Sequence, residues 1–154
     1  PKILNQLAIA HVKRPYPHFF LQATLDTEGR LVFETISCTF PQDESLDIRF
    51  LLGLNNSRMF AWLLYKFVYS NAIRSTRYDA QYVGKVPLPD VEQAPQELVS
   101  GLVERILAER ASTPTPKREP LSEEVLELQR SVDALVYEWY GLTEEEIATV
   151  EGRA

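Results

Sequence analysis

Cysteine and long apolar runs are both scarce in this 154-residue chain. The single cysteine, Cys38, excludes an internal disulfide and a multi-cysteine zinc site. The longest apolar candidate, from Phe60 to Tyr69, is interrupted by Lys66 and is far shorter than the ~18 residues a membrane span needs. We therefore expect no membrane partner and a location in the reducing cytoplasm. The start at Pro1, with no initiator Met and no signal-peptide pattern, predicts a piece of a longer protein.

The patterns that carry catalysis are also missing. The six glycines stand singly, so the chain has neither a phosphate-binding glycine loop nor a dinucleotide-binding fingerprint. Two histidines, His11 and His18, with Asp26 nearby, are too few for a convincing metal site. Cys38 has no evident base partner and is expected to be a core residue rather than a nucleophile. We expect no enzyme activity from the chain by itself, and no metal or cofactor in it.

Charge is divided unevenly along the chain, whose net charge is −6. Residues 1–90 contain 10 basic and 8 acidic residues, whereas residues 91–154 contain 6 and 14. Only the first part is therefore suited to lie against phosphate. This asymmetry predicts two regions: a recognition core over 1–90 and an acidic helical hairpin and tail over 91–154.

The first forty residues favour β-structure. Residues 19–25 and 31–38 are rich in β-branched and aromatic side chains and flank a turn at 26–29, which predicts a β-hairpin. Residues 2–10 are a candidate third strand. A helix from Asn56 or Ser57 to about Tyr69 is apolar nearly all round and is expected to pack on this sheet.

The remaining segments favour helices. Asp47 is the expected cap of a short helix ending at Gly53 and the two asparagines that follow. Amphipathic helices are predicted over 96–110 and 122–140, and Thr143 opens a capping box before a last short helix. The predicted fold class is α+β: a small twisted β-sheet packed by helices, with a C-terminal helical hairpin.

Two basic and aromatic stretches, 12–18 and 70–86, are candidates for contact with DNA. Arginine and lysine suit phosphate or guanine, asparagine and glutamine suit base edges, and tyrosine can stack on a base. A plain polar surface loop would have a similar composition. The candidate DNA-binding residues are Lys13, Arg14, Asn71, Arg74, Arg77, Tyr78, Gln81, Tyr82 and Lys85.

Three strings resemble a known family. Residues 51–59 read LLGLNNSRM and residues 85–89 read KVPLP, similar to the ordered pattern LL-x-LNS-(K/R)-(L/M) … LPIP. Residues 132–147 read VDALVYEWYGLTEEEI, followed by Val150-Glu151, similar to the tail D-x-LVY-x-LYGLT-x-EE. These patterns belong to the TaqI-like C-terminal specificity domain of bacterial adenine-specific DNA methyltransferases and type IIG restriction-modification enzymes. The chain departs by an additional Asn in the LNS string and by Val86.

The resemblance, which covers about 45–151, implies a DNA target-recognition module. The catalytic domain of such enzymes binds S-adenosylmethionine and holds the flipped adenine with an Asn/Asp-Pro-Pro-aromatic motif. This sequence lacks that motif and any nuclease set, so catalysis and the cofactor are expected in a separate catalytic domain of the same enzyme. The motif residues themselves are expected to be architectural.

The alternative is a protein-interaction module without a DNA role, in which the acidic helical hairpin docks a partner. A positive face formed by 11–18 and 70–85 would favour DNA. An apolar groove along 98–107 and 125–139 would favour a protein partner.

Overall fold

The computed structural model describes residues 1–89, 96–113 and 120–154. The fold is α+β, as predicted. The strands are β1 (Lys2–Gln6), β2 (Ala8–Val12), β3 (His18–Phe20), β4 (Ala23–Asp26), β5 (Ile36–Thr39) and β6 (Thr76–Arg77). The helices are α1 (Ile48–Asn55), α2 (Arg58–Leu63), α3 (Ala80–Val83), α4 (Gln96–Ser112), α5 (Glu123–Trp139) and α6 (Glu144–Val150).

The strands form two three-stranded antiparallel sheets, in the orders β4-β1-β5 and β3-β2-β6. Their central strands are separated in sequence only by Leu7. The Leu7 N–H donates to the Thr35 carbonyl at 3.0 Å, and its carbonyl accepts from the Tyr78 N–H at 2.7 Å. The corner at Leu7 is thus held by both sheets, where the sequence predicted one sheet.

The predicted hairpin between 19–25 and 31–38 is wrong. Strands β4 and β5 lie on opposite edges of β1, so that Ile3 faces Leu25 on one side and Thr39 on the other. Strand β3 pairs with β2 instead. The turn after β4 is real, since the Asp26 carboxylate accepts the N–H groups of Glu28 and Arg30. After the turn the chain crosses to the other side of β1, because β1 lies between the two strands that the hairpin would have paired.

Helix starts follow the predicted caps. The side chains of Asp47, Ser57, Ser122 and Thr143 each accept a backbone N–H in the first turn of α1, α2, α5 and α6. Helix α1 ends at Asn55 with Asn56 as its cap, as the predicted end at the two asparagines implied, and Gly53 lies inside the helix. A Cβ at Gly53 would stand 2.7 Å from Val99 and 2.9 Å from Val103, so glycine permits the close approach of α1 and α4.

Helix α2 continues as a π-helical stretch, Leu64–Val68. It ends through two residues in the left-handed region, Ser70 and Asn71, with φ of 48° and 59°. The Asn71 N–H donates back to the Tyr65 carbonyl at 2.8 Å, which closes the helix end. π-Helical turns are rare but frequently lie at functional sites. This one directly precedes the basic segment 70–86.

One hydrophobic core spans both predicted regions. Ile3 and Phe50 from the first region share it with Val99, Val132 and Val150 from the second. The predicted boundary between residues 90 and 91 lies outside the described residues. Within the described ranges, no helix has both the length and the apolar composition required to cross a membrane.

Candidate nucleic-acid interface

The second sheet has one buried and one exposed face. Along β2, Ile9 is buried while its neighbours Ala8 and Ala10 are exposed. Ala8 lies opposite Arg77, and Ala10 lies opposite Phe20, whose side chain is 50% exposed. Directly opposed residues share a face of the sheet. Ala8, Ala10, Phe20 and Arg77 therefore form one exposed surface, called the outer face below.

A basic loop lies at the far end of the outer face from Arg77. The loop joins β2 to β3 and spans residues 13–17, with Lys13 and Arg14 both exposed. Ala8 and Val12 are about 14 Å apart along the strand, because each residue advances it by about 3.4 Å. The outer face thus has cations at both ends, separated by roughly four base-pair steps of B-DNA.

A pair of tyrosines organises the second basic stretch. The Tyr69 hydroxyl donates to the Arg77 carbonyl, and the rings of Tyr69 and Tyr82 are 5.3 Å apart. The Lys85 ammonium lies 5.2 Å from the Tyr82 ring centroid. Burial raises the pKa of Tyr69. Arg77, Tyr82 and Lys85 are therefore joined in one cluster.

The predicted cations have no carboxylate partners among the described residues. Ion pairs engage basic side chains elsewhere in the described ranges, at 2.6 to 3.6 Å: Lys2, Arg30, Arg58, Arg105, Arg130 and Arg153. Asp79 is the only acidic residue in 70–86, and its carboxylate caps α3 by accepting from the Gln81 N–H. Within the described ranges, Lys13, Arg14, Arg74, Arg77, Lys85 and the neighbouring Lys66 form no ion pair, and Arg49 in α1 forms none either.

Tyr78 cannot stack on a base, contrary to the prediction. Its side chain is only 7% exposed, and its hydroxyl donates to Asn55 Oδ1 at 2.6 Å. Asn55 Nδ2 in turn donates to Asn5 Oδ1 at 3.0 Å. Burial raises the pKa of Tyr78 to about 12. Successive residues of an extended segment point to opposite faces, so the exposed Arg77 places Tyr78 in the core.

The other predicted residues are accessible. Asn71, Arg74 and Gln81 are exposed, as are Tyr82 and Lys85. Arg74 lies in the irregular stretch before β6, and Gln81 lies in the first turn of α3. The segment therefore presents cations, two amides and one aromatic ring to solvent.

Sequence reasoning missed Phe20 and Lys66. Phe19 is buried and contacts Tyr65, whereas Phe20 points to the outer face. Strand alternation would have separated the two phenylalanines, but the inward one is fixed only by the pairing of β3 with β2. Lys66 is exposed on the π-helical stretch, and its position in an otherwise apolar helix was the available signal.

Two of the three family-like strings meet at Arg58. The Arg58 N–H donates to Asp133 Oδ1 at 2.8 Å, and its guanidinium lies 3.4 Å from Asp133 and 3.6 Å from Glu151. The Tyr137 hydroxyl donates to Glu151 at 3.4 Å. Burial raises the pKa of Asp133 to about 6, although the hydrogen bond from the Arg58 N–H and the charge of Arg58 both act to lower it. The first string and the tail thus form one polar junction between α2, α5 and α6.

The candidate catalytic and metal groups have structural surroundings. The His11 ring stacks on Tyr65, with centroids 5.8 Å apart, and His18 Nδ1 lies 2.7 Å from the Tyr16 carbonyl. Cys38 is half-buried in β5. No group of three or more His, Cys, Asp or Glu side chains within 1–89, 96–113 and 120–154 is placed to hold a metal ion.

Neither a scan against protein-family models nor a search of curated proteins found a match to this chain. The family resemblance therefore stays an expectation from the sequence, and the contacts around the outer face carry the functional argument.

Proposed function

We propose that this chain binds duplex DNA as the target-recognition module of a bacterial adenine-specific DNA methyltransferase or restriction-modification enzyme, working in the cytoplasm. The observation that carries the proposal is the set of cations without ion pairs at both ends of the outer face. A cation that is not neutralised within the fold gains most from a phosphate, since binding releases the counterions of DNA.

The outer face is also the side of the sheet away from the acidic helices. Phe19 on the inner face contacts Tyr65, and α2 packs against both β3 and α5. Helix α2 therefore lies between the second sheet and the C-terminal hairpin. In α4 and α5, glutamates 123 and 124 pair with Arg130 and Arg105.

The side chains on this surface suit the two tasks of a recognition module. Lys13, Arg14 and Lys85 would contact phosphates and fix the register, whereas Arg77 and Gln81 would read base edges. The methyl groups of Ala8 and Ala10 leave room for a close approach of the duplex. Catalysis and S-adenosylmethionine are assigned by this proposal to a catalytic domain that acts with the chain.

Titration of a labelled duplex at low salt tests the proposal. We expect the wild-type chain to bind, and a variant with Arg74→Ala, Arg77→Ala and Lys85→Ala to bind at least tenfold more weakly with unchanged thermal stability. The matched control is Arg105→Ala with Arg130→Ala, which removes two cations from the hairpin and is expected to leave affinity nearly unchanged. Absence of binding at low salt, or equal losses in the two variants, would refute a DNA interface here.

The alternative, docking of a protein on an apolar groove of the hairpin, has less support. Of the positions along 98–107 and 125–139, Val99, Val103 and Val132 belong to the core, whereas Leu98 is exposed. The three valines pack among α1, α4 and α5 and are not available to a partner.

A further inference from the structure

The C-terminal turn after α6 lies directly beneath the basic loop. A Cβ at Gly152 would stand 2.3 Å from two atoms of the Tyr16 ring, Cγ and Cδ1. Gly152 also adopts φ of 67°, where other residues are strained. The Tyr16 ring therefore rests on the glycine backbone, in a place that no larger residue can share without moving the ring.

A second set of contacts holds Tyr16 from the strand side. Its ring lies 4.7 Å from the His18 ring, and its carbonyl is 2.7 Å from His18 Nδ1. His18 itself pairs with Val12 across β2 and β3. Tyr16 is thus fixed between the sheet and the C-terminal turn, two residues after Arg14.

The turn is firmly attached to the rest of the molecule. The Arg153 N–H donates to the Ala148 carbonyl at 2.8 Å, which closes the end of α6. The Glu151 carboxylate contacts Arg58 at 3.6 Å and Arg153 at 2.7 Å, and accepts from the Tyr137 hydroxyl. Burial raises the pKa of Tyr16, the charge of Glu151 adds to this effect, and the charge of Arg58 opposes it. The turn is therefore a rigid support built from α2, α5 and α6.

We infer that Gly152 and Tyr16 are positioning residues for DNA binding: the C-terminal turn fixes the basic loop, so that Lys13 and Arg14 meet phosphate without first being ordered. The inference rests on the proposed function for its role in DNA binding. A loop that is ordered before binding loses less conformational freedom in the complex, so its cations contribute more to affinity.

The first test measures the order of the loop without DNA. Gly152→Ala displaces the Tyr16 ring, whereas the control Gly141→Ala has the same backbone strain, with φ of 68°, but no atom within 4 Å of the new Cβ. Trypsin cleaves after Lys13, while the following Arg14–Pro15 bond resists it. We expect cleavage after Lys13 to be several-fold faster in Gly152→Ala than in Gly141→Ala, with cleavage after Arg130 equal in the two variants.

Equal cleavage after Lys13 in the two variants would overturn the inference. Tyr16→Ala provides a second variant if Gly152→Ala does not fold, because it removes the same contact from the other side. It is expected to speed cleavage after Lys13 in the same way, and an unchanged rate would again overturn the inference.

The second test is a double-mutant cycle on DNA affinity. In the Gly141→Ala background, replacing Lys13 and Arg14 by alanine should weaken binding several-fold, as in the wild type. In the Gly152→Ala background the same replacement should change affinity by less than twofold, since the loop has already lost its placement. Equal losses in both backgrounds would overturn the positioning role. If the wild-type chain binds no DNA, the proposed function fails, while the cleavage assay still decides whether the turn orders the loop.

Discussion

Asp133 is a buried carboxyl group at the junction of α2, α5 and α6. Its charged neighbours are Arg58 and Glu151, and Tyr137 lies beside it. Burial raises its pKa to about 6 in the folded state, against about 3.9 in an unfolded chain. The folded protein therefore holds this proton more tightly than the unfolded chain does. The stability that Asp133 contributes is complete below about pH 4 and is lost as pH rises through about 6.

The substitution Asp133→Asn should remove the loss of stability that Asp133 causes as pH rises from about 4 to 6. The Asn side-chain oxygen can still accept the Arg58 N–H, so the fold is expected to persist. Urea unfolding of both proteins from pH 4 to pH 7 gives the difference in unfolding free energy. We expect the wild type to lose up to about 2–3 kcal/mol relative to the variant over this range. A constant difference would show that Asp133 is ionised throughout.

Tyr78 differs from Arg77 beside it in having a purely structural role. Tyr78→Phe leaves Asn55 Oδ1 without its donor in the core, which should cost about 1–3 kcal/mol of stability. DNA affinity measured well below the melting temperature should stay within twofold of wild type. A large loss of affinity with full stability would mean that Tyr78 reaches the DNA after all.

Which side of the segment faces outward is the part of the site that sequence could not supply. Composition identified 70–86, and most of the chosen side chains are exposed. The distinction between Arg77 and Tyr78 depends on the pairing of β6 with β2, a contact between residues almost seventy positions apart. The choice between Phe19 and Phe20 depends on a different and more local pairing, that of β3 with β2.

Helices α1 and α4 approach closely at Gly53. Gly53→Ala inserts a methyl group less than 3 Å from Val99 and Val103, so overpacking should destabilise the protein by about 1–3 kcal/mol. Gly101→Ala in helix α4 is the matched control, because an added Cβ there has no atom within 4 Å. Helix propensity predicts a gain of up to about 1 kcal/mol there. Thermal unfolding measures the change in stability of each variant, which should be a loss for Gly53→Ala and a gain for Gly101→Ala. Destabilisation of similar size in both variants would contradict close packing at Gly53.

The longer helices were predictable from sequence, whereas the short helix α3 and the strand partners were not. The caps at Asp47, Ser57 and Thr143 are local signals, since each side chain acts within its own first turn. Strand β4 was located correctly, but its partner was not. Strand β1 competes with the expected hairpin, because it pairs with both β4 and β5. Which strands pair therefore depends on the packing of the whole sheet.

At the scale of the molecule, charge separation follows the layers of the fold. Lys13, Arg14 and Arg77 border the outer face of the second sheet, α2 lies behind that sheet, and the acidic hairpin packs behind α2. The sequence predicted the separation from counts alone. It could not predict that the C-terminal turn returns to support the basic loop, because the contact between Tyr16 and Gly152 joins opposite ends of the chain.

The central claim is that the cations at the outer face contact phosphate, and the salt dependence of duplex binding tests it most directly. Each phosphate contact contributes about 0.9 to the slope of log affinity against log salt. Because Arg77 is assigned to base edges, the variant lacking Arg74, Arg77 and Lys85 should show a slope smaller in magnitude by about 1–2 than the wild type. The Arg105→Ala, Arg130→Ala control should keep the wild-type slope. A wild-type affinity that does not change with salt, or equal slopes in the wild type and the triple variant, would contradict the account.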